Sequence, residues 1–150
     1  MHDFKLADMR AEHTREIAAI EAQCFGARAW SEELLRAELA DENKHYKVIL
    51  HQDKVIGYGG FSHIIDEGHI MNIAVASPYR RMGAGSLIMN ALKEKARSLN
   101  ITALTLEAGE HNRPAIDFYH RHNFKDCGIR PGYYSDKEGA LILWCLLEEG

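Results

Sequence analysis

The chain has 150 residues, 46% of them hydrophobic and 27% charged, a globular composition that excludes a disordered, collagen-like, coiled-coil or Cys-rich scaffold. Its longest apolar run, Ala140 to Leu147, has eight residues where a membrane helix needs about 20, so a soluble protein with no membrane partner is expected. Lys and Arg number 18 against 22 Asp and Glu, for a net charge of −4, and no basic run exceeds the pair Arg80-Arg81. Direct nucleic-acid binding, which shows as a basic stripe, is therefore not expected, whereas a basic peptide or an amine would suit the charge.

Met1-His2-Asp3-Phe4-Lys5 lacks the basic-then-apolar pattern of a signal peptide. Cys24, Cys127 and Cys145 are far apart and form no C-x-x-C pair, which fits free thiols in a reducing cytoplasm. Phe4 to Leu6 reads as a short strand. Thr14 to Gln23 carries Ile17, Ala18, Ile20 and Glu21 at helical spacing, and Ser31-Glu32-Glu33 opens a second helix with a capping serine and acids in its first turn. Tyr46 to Leu50 and Val55 to Ile65 are β-rich runs joined by the turn Gln52-Asp53-Lys54. After Asp66-Glu67-Gly68, a third antiparallel strand spans His69 to Val75.

Pro78 and a glycine-rich turn then lead into a long helix, about Gly83 to Leu99, that buries Leu87, Ile88, Ala91, Leu92, Ala96 and Leu99. Thr102 to Glu107 is a strand. Asn112 caps a short helix with Arg113-Pro114 in its first turn. Lys125 to Ile129 and Ala140 to Leu147 are final strands. Three consecutive strands precede the first β-α-β unit, which predicts an α/β (α+β) fold with a mixed sheet rather than a doubly wound one.

The segment Asn72-Ile73-Ala74-Val75 followed by Arg80-Arg81-Met82-Gly83-Ala84-Gly85 runs a strand into a glycine-rich helix start. Free N–H groups and the positive end of the helix dipole suit a phosphate there, and the two arginines add charge. It is not a Rossmann fingerprint, because Ile88 stands where a third glycine is needed, and Gly-Lys-Ser/Thr is absent, so it is not a P-loop. By itself G-x-G is more often a plain helix start with two turn glycines. Arg80-x-x-Gly83-x-Gly85 after this strand nevertheless resembles the acetyl-CoA signature of the GNAT acetyltransferases, and the element order is similar to theirs.

Leu106-Glu107, Asn112, Ala115-Ile116 and Phe118-Tyr119 resemble the second half of that family. Ile129-Arg130-x-x-Tyr133-Tyr134 before Ala140-Leu141-Ile142-Leu143 resembles its RimI-type subgroup, the ribosomal-protein-alanine N-acetyltransferases. The resemblance implies one GNAT domain over residues 1–150, with a mixed, mostly antiparallel sheet flanked by helices. It implies acetyl-CoA as cosubstrate, held by Ile73, Ala74, Val75, Arg80, Arg81, Met82, Gly83, Ala84, Gly85 and Asn112, with N–H groups near Val75 on the thioester oxygen. It implies Glu107 as general base, directly or through a water, and Tyr119 as general acid. Tyr133 and Tyr134 would contact the acceptor, the N-terminal alanine of a small-subunit ribosomal protein.

Each residue has a plainer reading: a solvated strand-end glutamate, a core tyrosine, a half-buried pair of loop tyrosines. The subgroup's Pro-Trp-Ser is Ala29-Trp30-Ser31 here, and its Glu-Asp before the last strand is Glu138-Gly139; both departures flank the acceptor cleft. Another N-terminus, a lysine or a small amine remain open as acceptors, as does a non-catalytic acyl-CoA-binding module. No metal is expected: His120 and His122 lie on opposite sides of their helix, and no H-x-x-x-H or Cys/His cluster exists. The oligomeric state is open.

Overall fold

The computed structural model describes residues 3–135 and 138–147. In chain order come strand β1 (Phe4–Asp8), helices α1 (Thr14–Phe25) and α2 (Glu32–Leu39), and strands β2 (Lys44–His51), β3 (Lys54–Ile64) and β4 (Glu67–Val75). Helix α3 (Ala84–Ser98), strand β5 (Ala103–Gly109), helix α4 (Arg113–Arg121) and strands β6 (Lys125–Ser135) and β7 (Glu138–Leu146) follow. The strands form one seven-stranded sheet of order β1-β2-β3-β4-β5-β7-β6. Every neighbouring pair is antiparallel except β4 and β5. This is a mixed, mostly antiparallel sheet flanked by helices. No helix among the described residues is long and apolar enough to cross a membrane.

Local signals account for the elements. Ser31 Oγ accepts the Leu34 N–H at 3.1 Å and starts α2. Gln52 and Asp53 both take positive φ, 52° and 64°, as a tight two-residue hairpin turn requires. The next turn is shorter than the sequence suggested. Glu67 and Gly68 are not linker but pair with Ile64 and His63, so the turn narrows to Ile65-Asp66 and Ile65 is forced to φ 57°.

Two apolar clusters sandwich the sheet. On one face Ile88, Leu92 and Ala96 of α3 and Ile116 of α4 pack on Ile49, Ile56, Leu104 and Leu143. On the other, Ile17 and Ile20 of α1 and Leu35 of α2 pack on Val48, Tyr58 and Ala74.

The central irregularity lies between β4 and β5. Their parallel pairing covers only Glu67–His69 against Ala103–Thr105. Just beyond it the register of β4 on β3 shifts: Gly60 faces Asn72 and Phe61 faces Ile70, leaving Met71 as an extra residue. Such a bulge bends its strand. Past this point β4 follows β3 to Val75 while β5 follows β7 to Gly109, and the sheet opens between them.

Ile65 is 91% exposed, so its strained backbone is not offset by burial. Ile65→Asn should raise stability by about 1 kcal/mol, because asparagine tolerates the left-handed region better than a β-branched residue. A higher urea midpoint at unchanged m-value is the expected result.

Candidate active site

Two cavities meet in the opening. One of about 480 Å³ lies between residues 70–73 of β4 and 106–109 of β5. The other, about 950 Å³, runs from the end of β4 over the start of α3 to α4. Cys24, Phe25, Ile73, Asn112, Ala115 and Tyr119 line both.

The larger cavity gathers most of the residues suggested for the cofactor: Ile73, Ala74 and Val75 from β4, Arg80, Arg81, Gly83, Ala84 and Gly85 around the α3 start, and Asn112 from α4. Met82 is not among its lining residues. Gly83 caps α3 in the left-handed region, φ 83°, and a Cβ there would meet nothing within 4 Å. Ala84, Gly85 and Ser86, whose N–H groups have no partner within the helix, line this cavity, a cradle for a polyanion such as a diphosphate.

Gly85 has a different reason to be small. Its Cβ would lie 3.2 Å from the Phe118 ring, so glycine here also lets α4 close on α3. Arg80 is also committed locally: Nε donates to the Val75 carbonyl at 3.1 Å and Nη2 to Cys24 Sγ at 3.1 Å. It ties the end of β4 to α1, while Arg81 stays exposed at the mouth. Asn112 Oδ1 accepts the Ala115 N–H at 3.4 Å and caps α4 from the seam between the cavities.

In the smaller cavity Glu107 projects from β5, its side chain 30% exposed, and forms an ion pair with Arg130 of β6, whose Nη2 lies 3.1 Å from Oε1. Among the described residues nothing donates to Oε2. The Arg130 guanidinium in turn lies 5.1 Å from the centre of the Tyr133 ring. Tyr133 and Tyr134 were expected in a loop; both belong to strand β6 instead, because that strand continues to Ser135 across a register shift after Arg130. Tyr133 lines neither cavity, its ring lying against the Arg130 guanidinium that pairs with Glu107, and the side chain of Tyr134 lies outside the described residues. Tyr119 stands at the seam, wedged edge-on against Phe118 and Phe124 at 5.4 and 5.9 Å.

The sequence reading missed the wall opposite Glu107. Glu21 of α1 is fully buried. Its Oε1 accepts the Trp30 N–H at 2.9 Å and its Oε2 the Tyr58 hydroxyl at 2.8 Å. Asn72 Nδ2 approaches both oxygens, at 3.5 and 3.3 Å. Burial pushes the Glu21 carboxyl above its ordinary range, and the Trp30 and Tyr58 donors pull it back. Asn72 and Trp30 line the smaller cavity. The available signal was a glutamate on the apolar stripe of a helix, where a charge needs partners. Among the described residues no three His, Cys, Asp or Glu side chains are placed to hold a metal ion.

A strand pair that opens beside a glycine-capped helix start makes a cleft with a polyanion cradle at one end, and comparison with known proteins says which class of protein it belongs to. Residues 13–124 match the acetyltransferase (GNAT) family, and the chain belongs to it. Its reaction class is acetyl transfer from acetyl-CoA. A Bacillus subtilis (strain 168) protein, provisionally named a ribosomal protein bS18-alanine N-acetyltransferase, is 31% identical over 144 residues, 95% of each chain. The crystal structure of the ribosomal-protein-S18-alanine N-acetyltransferase from Escherichia coli superposes with TM-score 0.88 at 23% identity, covering 98% of this chain and 96% of that one. Ard1 from Thermoplasma volcanium superposes with TM-score 0.88 at 26% identity, covering 97% and 99%.

The cradle can be tested at constant shape. Gly83→Asn and Gly83→Asp both tolerate a positive φ and project into open space. Calorimetry should give a CoA affinity about tenfold weaker for Asp than for Asn, with the gap narrowing as salt rises. Equal affinities would remove the phosphate from this turn.

Proposed function

We propose that the protein transfers acetyl from acetyl-CoA to the N-terminal α-amine of a ribosomal protein, alanine in the family pattern, in the cytosol. The observation that carries this reading is the seam. Glu107 on β5 faces the acceptor side, Tyr119 sits where the two cavities join, and a glycine-capped helix start closes the far side. The family membership and the name of the Bacillus subtilis relative support the choice of acceptor.

The chemistry needs a base, because an ammonium has no lone pair. Glu107 takes that role through Oε2, while Arg130 on Oε1 holds the carboxylate toward the cleft. The neutral amine attacks the thioester carbonyl directly, without a covalent enzyme intermediate. Backbone N–H groups of β4 beyond His69 have no strand partner on the β5 side, so they can donate to the carbonyl oxygen as negative charge develops. Tyr119 returns a proton to the departing sulfur. The Glu138 side chain at the mouth and the net charge of −4 favour a basic acceptor peptide. An α-amine also suits a single carboxylate: deprotonating a lysine at neutral pH costs about 3.5 kcal/mol more, from model values near 7.8 and 10.4.

Glu107→Gln and Tyr119→Phe should each lower kcat by about 10²–10⁴-fold, with the KM for acetyl-CoA little changed. The Glu107 variant should recover part of its rate at higher pH, where free amine is abundant. Wild-type rates in both, or a flat pH response, would remove these roles.

Acceptor choice is read by competition between a basic peptide with a free N-terminal alanine and the same peptide blocked at its N-terminus and carrying an internal lysine. Mass spectrometry should find the acetyl group on the free α-amine. Preferential modification of the blocked peptide would leave acetyl transfer but reject the N-terminal acceptor.

A further inference from the structure

Asn72 occupies a place that its neighbours define closely. It follows the Met71 bulge, on the edge of β4 that has left β5, and it lines the acceptor-side cavity. Its amide has two unlike ends, and the surroundings decide which faces where. Both Glu21 oxygens act as acceptors here, Oε1 toward the Trp30 N–H and Oε2 toward the Tyr58 hydroxyl. Glu21 presents both oxygens to Asn72, and the Tyr58 hydroxyl, which spends its proton on Glu21, presents its oxygen at 3.4 Å. Three acceptor oxygens therefore surround one end of the amide. Only the NH2 group fits there; a flipped amide would set Oδ1 against the carboxylate.

The amide carbonyl must then face away from Glu21. Among the described residues Asn72 Oδ1 accepts no hydrogen bond, although the side chain lines the cavity. Across the cleft, Glu107 Oε2 is likewise without a donor. A primary amine entering between β4 and β5 thus meets one neutral acceptor and one anionic acceptor on opposing strands. Two of its hydrogens can be engaged at once, which fixes the direction of the lone pair.

We propose that Asn72 binds the acceptor amine through Oδ1, and that Glu21 is a positioning residue that holds the amide in this orientation. The same carboxylate fixes the Trp30 N–H, so it sets the β4 wall and the α1–α2 connection of the acceptor cavity together. Glu21 itself, fully buried, touches no substrate. The inference rests on the acetyltransferase reading above but not on which amine is the acceptor.

Steady-state kinetics on the full chain test it, with acetyl-CoA and three acceptors: the free N-terminal alanine peptide, the blocked lysine peptide and a small diamine. For whichever acceptor the wild type uses, Asn72→Ala should lower kcat/KM for the acceptor about 10- to 100-fold while the KM for acetyl-CoA stays within about twofold. Glu21→Gln puts an NH2 group beside the Asn72 amide and frees it to turn, so it should lower the same parameter. The double variant should then be no worse than Asn72→Ala alone.

Asn72→Ala with wild-type acceptor kinetics overturns the proposal, and so do additive losses in the double variant, which mean that Glu21 acts only on stability. If Glu21→Gln does not fold, Asn72→Ala alone decides the amine contact and Tyr58→Phe replaces it in the cycle. A wild type active only on the lysine peptide rejects the N-terminal acceptor and leaves this proposal to the Asn72 result. A wild type inert toward all three acceptors overturns both.

Discussion

Everything functional in this molecule depends on β4 and β5 failing to stay together. A parallel pair is stable only while its slanted hydrogen bonds continue, and here they continue for three residues on each strand. The Met71 bulge then turns β4 along β3, while β5 stays with β7. Backbone N–H and C=O groups along the opened edge lose their partners in the interior of a sheet, a place where unpaired groups are costly. Such an edge is tolerable where water or a substrate can reach it, and the two cavities supply that access.

The opening is held rather than loose. On one face α3 packs Ile88 and Leu92 against the sheet, and the missing side chain at Gly85 brings the Phe118 ring against the start of α3. On the other, the buried Glu21 carboxylate ties α1 to β3 and to the α1–α2 connection by two short hydrogen bonds. Arg80 adds a third tie, from the end of β4 to Cys24 of α1. Polar groups that bridge elements in this way fix direction, which close apolar packing alone does less well.

Much of this was legible in the sequence, for identifiable reasons. Helix starts at Ser31 and Asn112 carry capping side chains, and the strands carry β-branched runs that end at turn residues, so the elements and their order could be read directly. The parallel β4–β5 pair followed from three strands preceding a β-α-β unit. What could not be read was register. Placing the turn at Ile65-Asp66 rather than at Asp66-Glu67-Gly68 is a matter of pairing, and a bulge at Met71 leaves no mark in a run of ordinary strand residues. The same holds for Glu21 and Asn72, which are 51 positions apart in the chain and meet only after the sheet forms. Tyr133 and Tyr134 read as loop residues because they fall between the expected strands Lys125 to Ile129 and Ala140 to Leu147. The structure carries β6 through both by shifting its register on β7.

Arg130 bears on acceptor choice in a way that motif matching does not reach. A guanidinium 3.1 Å from the carboxylate occupies one of its two oxygens. It also places a permanent positive charge beside the point where an amine must arrive. On the proposed reading, a cationic ammonium therefore meets an attraction to Glu107 partly cancelled by repulsion from Arg130, while a neutral amine meets neither in full. The balance favours an amine that is already neutral in part of its population at physiological pH, which an α-amine is and a lysine is not. Pairing the base with Arg130 thus gives up some electrostatic capture of the acceptor and retains a carboxylate aimed at the cleft. That is a reasonable exchange for a peptide N-terminus, whose following residues can contribute binding energy of their own along the cleft mouth.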